Sequence, residues 1–347
     1  MHIGDFKETY SSDQAVFINA TSRFWLGVLF AVLFLFPFVA GDYLLFMANL
    51  AGITIIGAVG LNILTGFTGL ISLGHAAFIG VGGYTAAILS TRFDLPFLLC
   101  LPLSGLMAAF FGIIVGGPSL RLKGLYLCIA TLAAQLILEF VFVHWESLTG
   151  GIRGMNISPP QIFGYVLDND FKFYFVTLVM VILCVTFARN LFRTRVGRAF
   201  IAIRDRDISA ELMGINLLQY KTYAFALSSF MAGISGCLWV NFLKTVTPEH
   251  FPLMESVRYL AMVIVGGMGS ILGSILGAIF MTIVPELIST FLGFLVNIFP
   301  TAMSFLFPLQ QVIFGLLIVI FLVFEPHGLA EIWRRIKNYF HLWPFEH

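Results

Sequence analysis

The sequence predicts an all-α, polytopic integral membrane protein with about ten transmembrane segments, some of them broken or re-entrant helices. Three observations carry this prediction. The 347 residues are 59% hydrophobic and only 11% charged, against roughly 25% charged residues in soluble domains, and the mean hydropathy is +0.96. Many apolar runs approach or exceed the roughly 17–25 residues that a helix needs to cross the hydrocarbon core. They also lack the dyad alternation of outer-membrane strands.

The polar stretch 1–23 mixes Asp5, Glu8 and Asp13 with Lys7. It has neither a basic n-region nor a small-residue cleavage site, so no cleaved signal peptide is expected. Apolar segments follow near 24–40, 45–64, 70–91, 97–117, 125–143, 173–188, 223–243, 258–269, 271–290 and 309–324. The expected organisation is a cytoplasmic N-terminal tail (1–23), a transmembrane domain (24–324) and a cytoplasmic C-terminal tail (325–347). Lysine and arginine placement sets the direction. With a cytoplasmic N-terminus, fourteen of the nineteen basic residues fall inside, while Arg92, Arg153, Lys172, Lys244 and Arg258 fall outside. Both termini are therefore expected in the cytoplasm. The outside connection 144–172 holds "TGGIRG" and Pro159–Pro160, which predict irregular chain. The apolar stretch 291–308 reads as a short helix in the outer leaflet.

Two glycine seams stand out, "GLNILTGFTGLISLGHAAFIGVGGY" (60–84) and "VGGMGSILGSILGAIF" (265–280). Small residues at three- and four-residue spacing let helix backbones approach in lipid; broken helices lining a pathway are the functional alternative. Gly66 and Gly69 in the first seam echo Gly266 and Gly269 in the second, as a weak internal repeat would. Ionisable groups inside spans are costly and face protein or water. Candidates for the pathway are therefore Asn62, Gly66, Gly69, Ser72, His75, Gln135, Glu139, Gly266, Gly269 and Glu286. A satisfied structural role is open for each. Pro285 frees a backbone carbonyl and is expected to break its helix near the outer face.

Several functions are excluded or unsupported. No Gly-Lys dipeptide occurs, so the chain holds no phosphate-binding loop of its own. It contains no H-E-x-x-H and no G-x-S-x-G, and neither catalytic nor metal-ligating residues are expected. Cys100, Cys128, Cys184 and Cys237 are dispersed among apolar segments and read as small buried hydrophobes. Passage of a solute, powered from elsewhere, is the economical reading. An ion-gradient-driven secondary transporter is the alternative from another class, but the spans lack the carboxylates expected for coupling.

The segment 189–222 is exceptional, with six arginines between residues 189 and 206. It divides into two short helices. Val196, Phe200 and Ile203 form one apolar stripe at i, i+4 and i+7, and Ile208, Leu212 and Ile215 form a second. Asp207 is the expected N-cap of the second helix, and Gly214 the expected left-handed terminator. A loop serving topology alone does not need a capped amphipathic helix.

The stretch "DISAELMGIN" (207–216), after Gly197-Arg198-Ala199 and Ala202-Ile203-Arg204, resembles the cytoplasmic segment of permease subunits of branched-chain amino-acid ABC importers. The blocks at 60–87, 118–133, 149–151 and 262–278 agree in order, and "LRLKGLYLCIATLA" favours the M-type subunit. The resemblance covers about residues 45–328. It implies a type II ABC-importer-like permease fold in a bacterial inner (plasma) membrane, paired with a homologous second permease. It further implies two ATP-binding subunits on the cytoplasmic side and a periplasmic or lipid-anchored substrate-binding protein. ATP and Mg would be used by those ATPase subunits, with no cofactor bound by this chain, and no nucleic-acid partner is expected. The implied cargo is branched-chain or other hydrophobic amino acids, with urea, short amides or small organic acids as alternatives within the family. The ATPase-coupling role carries over to Arg204, Arg206, Asp207, Ile208, Glu211, Leu212, Gly214 and Ile215. The family's Glu-Ala-Ala is Ile208-Ser209-Ala210 here, so its leading glutamate is missing.

Overall fold

The structure, a computed structural model, describes residues 20–119, 124–162, 164–298, 306–325 and 328–342. Expectations for the tail up to residue 19, for Arg121 and Lys123, and for 299–305 lie outside the described residues. The chain divides into two units, Met1–Phe46 and Met47–His347. In the first, α1 (Ala20–Val39) exposes Phe24, Trp25, Leu29, Phe34 and Phe38. A helix with such a surface is at home only in hydrocarbon, where its backbone groups are satisfied internally.

α2 (Asp42–Thr68) leads into the second unit, followed by α3 (His75–Arg92), α4 (Phe97–Ser119), α5 (Leu125–His144) and the single turn α6 (Glu146–Thr149). Three two-residue strands come next, β1 (Met155–Asn156), β2 (Gln161–Ile162) and β3 (Tyr165–Val166). α7 (Asp170–Leu191) then descends to α8 (Arg195–Asp205) and α9 (Asp207–Leu212), and α10 (Leu217–Leu243) returns. After β4 (Thr245–Val246) come α11 (Leu253–Gly266), α12 (Ile271–Ile298), α13 (Leu306–Phe324) and α14 (Leu329–Leu342).

Each of the ten apolar segments is largely helical, although 70–74 and 267–269 are not. Among the described residues, six helices (α2, α4, α5, α7, α10 and α12) are long and apolar enough to cross a membrane by length and composition. The segment read as 258–269 is part of α11, which has only 14 residues, about 21 Å at 1.5 Å per residue. The expected break at Pro285 is absent, because α12 runs unbroken through it from Ile271 to Ile298. That helix also occupies residues 291–298 of the stretch assigned to an outer-leaflet piece, and the next helix occupies 306–308.

α7 and α10, of 22 and 27 residues, are rods of about 33 and 40 Å. Both connect α8–α9 at one end of the unit to the strands at the other. At the strand end β1 pairs antiparallel with β4, Met155 opposite Val246, and β2 with β3. The connection 144–172 is thus tied to residues 245–246 rather than wholly irregular. The Arg92 guanidinium donates to the Ser147 and Leu148 carbonyls, which fixes the end of α3 there. Lys172 Nζ donates to Asp168 Oδ1 at 2.7 Å, and this hydrogen bond holds the exposed carboxyl below its ordinary pKa.

The core is a glycine-mediated contact of α3, α4 and α10. A Cβ on Gly82 would overlap Gly233, and one on Gly236 would overlap the Ile79 carbonyl oxygen. The second seam closes on itself, since Gly266 packs against the Gly273 carbonyl and Gly277 against that of Met262. Here the packing reading of the seams holds. Small residues let backbones meet where the apolar effect supplies no drive between helices. Cys100, Cys184 and Cys237 are buried, Cys128 is half-buried, and all four are free.

Candidate functional site

The arginine-rich loop folds as two short helices. The Thr194 hydroxyl accepts from Gly197 N–H and caps α8. Phe200 and Ile203 are buried with Gly197 and Ala199, while Val196 is half-buried. Arg206 turns the chain through an extended conformation and occupies the N-cap of α9. Asp207 is therefore one residue inside the expected cap, yet its carboxylate still accepts from Ile208 N–H at 2.9 Å. Both hydrogen bonds of a Schellman motif close the helix. Ile215 N–H donates to the Ala210 carbonyl at 3.0 Å and Gly214 N–H to that of Glu211 at 2.9 Å. Gly214 stands at φ +86°, where glycine carries no Cβ penalty.

α9 turns Ala210 inward and leaves its large apolar side chains outside. Ile208 is 66% exposed, Leu212 84% and Met213 85%. Ile215 is half-buried and lines, with Glu211 and Gly214, a cleft of about 500 Å³. Met213 escaped the stripe spacing because it follows the last helical residue, yet it is the most exposed of the group.

Arg204 points inward. Its Nη1 donates to the Gly66 carbonyl at 3.0 Å, and its Nε and Nη2 each donate to Asp205 Oδ1 at 3.2 Å. Gly66 lies in the last turn of α2, where carbonyls lack intrahelical partners and a cation is favoured. Gly69, at φ +74°, and Gly269 pack against the same arginine. Asn62 completes the cluster. Its Nδ2 donates to Ser274 Oγ at 2.6 Å and the Ser270 carbonyl at 2.8 Å, and its Oδ1 accepts from Gly269 N–H at 3.0 Å. Four pathway candidates and one coupling candidate thus form a single junction among α2, α8 and the α11–α12 turn. Adjacent to it lies a cleft of about 560 Å³ lined by Thr68, Gly69, Arg204, Arg206 and Ser209 among others.

A second junction surrounds the start of α3. The helix begins at His75 after the non-helical stretch 69–74, so its first N–H groups need outside partners. Ser256 Oγ accepts from Ala76 N–H at 2.8 Å, and Gln135 Oε1 accepts from Ala77 N–H at 2.7 Å. Gln135 Nε2 donates to the Phe251 carbonyl at 2.9 Å, just before α11 begins. Thr131 Oγ1 accepts from Leu73 N–H and Ser72 Oγ from Gly74 N–H. His75 Nε2 donates to the Gly57 carbonyl at 2.9 Å, the carbonyl fixing the tautomer, and the ring meets Tyr259 edge-on. Ser72, His75 and Gln135 are therefore engaged in holding a broken helix. Three other candidates join neither junction, Gly266 being packed against Gly273. Glu139 lies half-buried one turn before the end of α5, and Glu286 lies half-buried on α12.

Two charged residues were missed. Arg258, counted outside by the lysine and arginine rule, lies on α11 beside the middle of α12. Its Nη2 donates to the Met281 carbonyl at 3.2 Å, and its Nη1 stands 3.5 Å from Glu255 Oε1. Met281 is four residues before Pro285, whose nitrogen carries no hydrogen to bond it. The carbonyl freed by the proline is therefore supplied by Arg258, which accounts for the helix continuing unbroken. The available signal was the i, i+3 spacing of Glu255 and Arg258 beside an apolar run. Hydropathy alone assigns such a pair to a loop.

Comparison with known proteins places the chain in a family. Residues 43–322 match the family described as the permease component of the branched-chain amino acid transport system. The chain is 31% identical over 343 residues to the high-affinity branched-chain amino acid transport system permease protein LivM of Escherichia coli K12. That match covers 91% of this chain and 77% of the relative. It is 30% identical to the LivM protein of Salmonella typhimurium, covering 90% and 76%. It is 26% identical to the probable branched-chain amino acid transport permease protein LivH of Methanocaldococcus jannaschii, covering 81% and 90%. No solved structure matches the chain at a significant level.

Proposed function

We propose, because this chain belongs to the family of branched-chain amino acid transport permeases, that it is the M-type permease subunit of an ATP-driven importer. In this reading it forms half of a translocation pathway for branched-chain or other hydrophobic amino acids, with a homologous permease as the other half. About ten segments enter the bacterial inner membrane, with tails 1–23 and 325–347 in the cytoplasm and 24–324 as the permease domain. Two ATP-binding subunits, which use ATP and Mg, engage the loop 189–222. A substrate-binding protein delivers cargo at the strand end of α7 and α10. One observation carries the reading, the outward apolar tip of α9 on a helix closed at its C-terminal end by Gly214.

In this mechanism Ile208, Leu212 and Met213 enter a groove on the ATPase while Arg206 and Glu211 orient the contact. Arg204 works at the opposite face, transmitting displacement of α8–α9 to the end of α2 and the α11–α12 turn. ATP-driven closure then moves the broken elements α3 and α11 between outward and inward openings. The defining experiment reconstitutes this chain with its second permease, ATPase subunits and binding protein in vesicles. Labelled leucine is expected to accumulate only with ATP inside the ATPase compartment. Accumulation driven by an ion gradient without ATP would overturn the proposal.

Arg204→Gln separates docking from transmission. A hydrogen bond from a charged donor contributes about 1.5–3 kcal/mol, so uptake per ATP hydrolysed is expected to fall about tenfold. ATPase association, read by co-purification, is expected to stay intact. An unchanged uptake-to-hydrolysis ratio counts against the transmission role.

A further inference from the structure

We infer that Glu255 and Arg258 form a zwitterion-binding subsite on the translocation path, Glu255 receiving the ammonium and Arg258 the carboxylate of a passing amino acid. The inference rests on the importer reading above and adds the place where the cargo is held within the permease.

Depth is the first observation. Arg258 stands eight residues before Gly266 at the end of α11, and its partner Met281 stands ten residues into α12. At 1.5 Å per residue these are about 12 and 15 Å from the α11–α12 turn. The turn itself lies at the loop end, because Gly269 contacts Arg204. Ser256, between the two charges, binds the first turn of α3. The pair thus sits at middle depth, where α11 meets the first turn of α3.

The second observation is incomplete engagement. Among the described residues the Glu255 carboxylate is met by Arg258 alone, at 3.5 Å, longer than a good charge-assisted hydrogen bond. A carboxylate offers about four acceptor sites and a guanidinium five donors. Side chains of Arg258 and Glu255 remain 32% and 20% accessible. A charged group at the bilayer centre costs about 2.5–3.5 kcal/mol even on the mildest scale, so this opening faces water or protein and not lipid.

The surroundings match an aliphatic amino acid. Met254, 72% exposed, and Val257, 42% exposed, lie with Arg258 at i, i+3 and i+4 on one face of α11. An aliphatic side chain can lie against Met254 and Val257 while its charged head meets Glu255 and Arg258. The 3.5 Å separation lets the pair part around a zwitterion, so the two charges stay compensated before and after passage.

The test uses the complete reconstituted importer with its ATPase and binding protein. Val257→Cys is made in a background in which Cys100, Cys128, Cys184 and Cys237 are replaced by alanine. It is probed with a membrane-impermeant cationic thiol reagent, nucleotide-free and after vanadate trapping. Labelling in one state, at least tenfold faster than in the other, is expected. Absence of labelling in both states, with uptake intact, seals the pair against the second permease and overturns the inference. Glu255→Gln is expected to lower the maximal rate of leucine uptake about tenfold without loss of ATPase association. Unchanged uptake overturns the inference.

Arg258→Gln alone removes the partner of the Met281 carbonyl and can fail to fold. The double variant Arg258→Gln with Pro285→Ala restores the intrahelical N–H for that carbonyl. It is expected to assemble and bind the ATPase but to transport poorly; transport at the unmodified rate overturns the inference. If the unmodified complex shows no ATP-driven leucine uptake, the importer reading itself has failed, a result distinct from any of these.

Discussion

Leu212→Asp is expected to purify and melt like the unmodified chain and to lose its ATPase subunits. The side chain is 84% exposed, so the permease itself has nothing to lose from the change. A leucine fully buried on docking contributes about 1.5–3 kcal/mol, and a carboxylate forced into the same groove adds a desolvation cost. Together these predict at least a hundredfold weaker association, read by titrating purified ATPase onto the immobilised permease pair. Met213→Asp is expected to act in the same direction from the adjacent position. Retention of the ATPase at its ordinary affinity by both variants removes the docking role from α9.

Gly233→Val is expected to have the opposite profile, loss of the folded permease before any question of docking arises. A Cβ at Gly233 would stand 2.5 Å from the Ser104 carbonyl oxygen and 2.6 Å from Ala108 Cβ. The third neighbour is the Gly105 Cα at 3.0 Å, so no flexible side chain can move aside. Overpacking in a close-packed core ordinarily costs about 1–3 kcal/mol, and backbone contact on two sides puts this change at the upper end. The expected result is a lower apparent Tm in detergent and a loss of monodisperse protein. Gly117→Ala is the control, because its Cβ would meet nothing within 4 Å. A Gly233→Val protein as stable as this control excludes tight α3–α4–α10 packing.

Much of the loop was legible in the sequence because its determinants are local. Phe200 and Ile203 share a helical face by spacing, and Gly214 terminates α9 in the left-handed conformation that its position suggests. Arg204 was read with the docking surface, whereas its side chain turns to Gly66, 138 positions earlier in the chain. No local pattern encodes that approach. The same holds for Gln135 and Ser256, which cap α3 from two other helices. Periodicity identifies a face but not what the face meets. Pro285 illustrates a different limit. The missing hydrogen bond follows from residue type alone, but whether the helix breaks depends on what reaches the freed carbonyl. Arg258 reaches it from α11, a separate helix.

α7 and α10 give the molecule a property beyond support. Each is one continuous helix, and both join α8–α9 at one end to the paired strands β1 and β4 at the other. If events at the two ends are linked through these rods, thermodynamic linkage makes that influence mutual. In the proposed importer, a binding protein that favours one arrangement of the strand end must alter ATPase affinity at the loop by the same factor by which the ATPase alters its own. Measured in both directions on one preparation, the two factors should be equal.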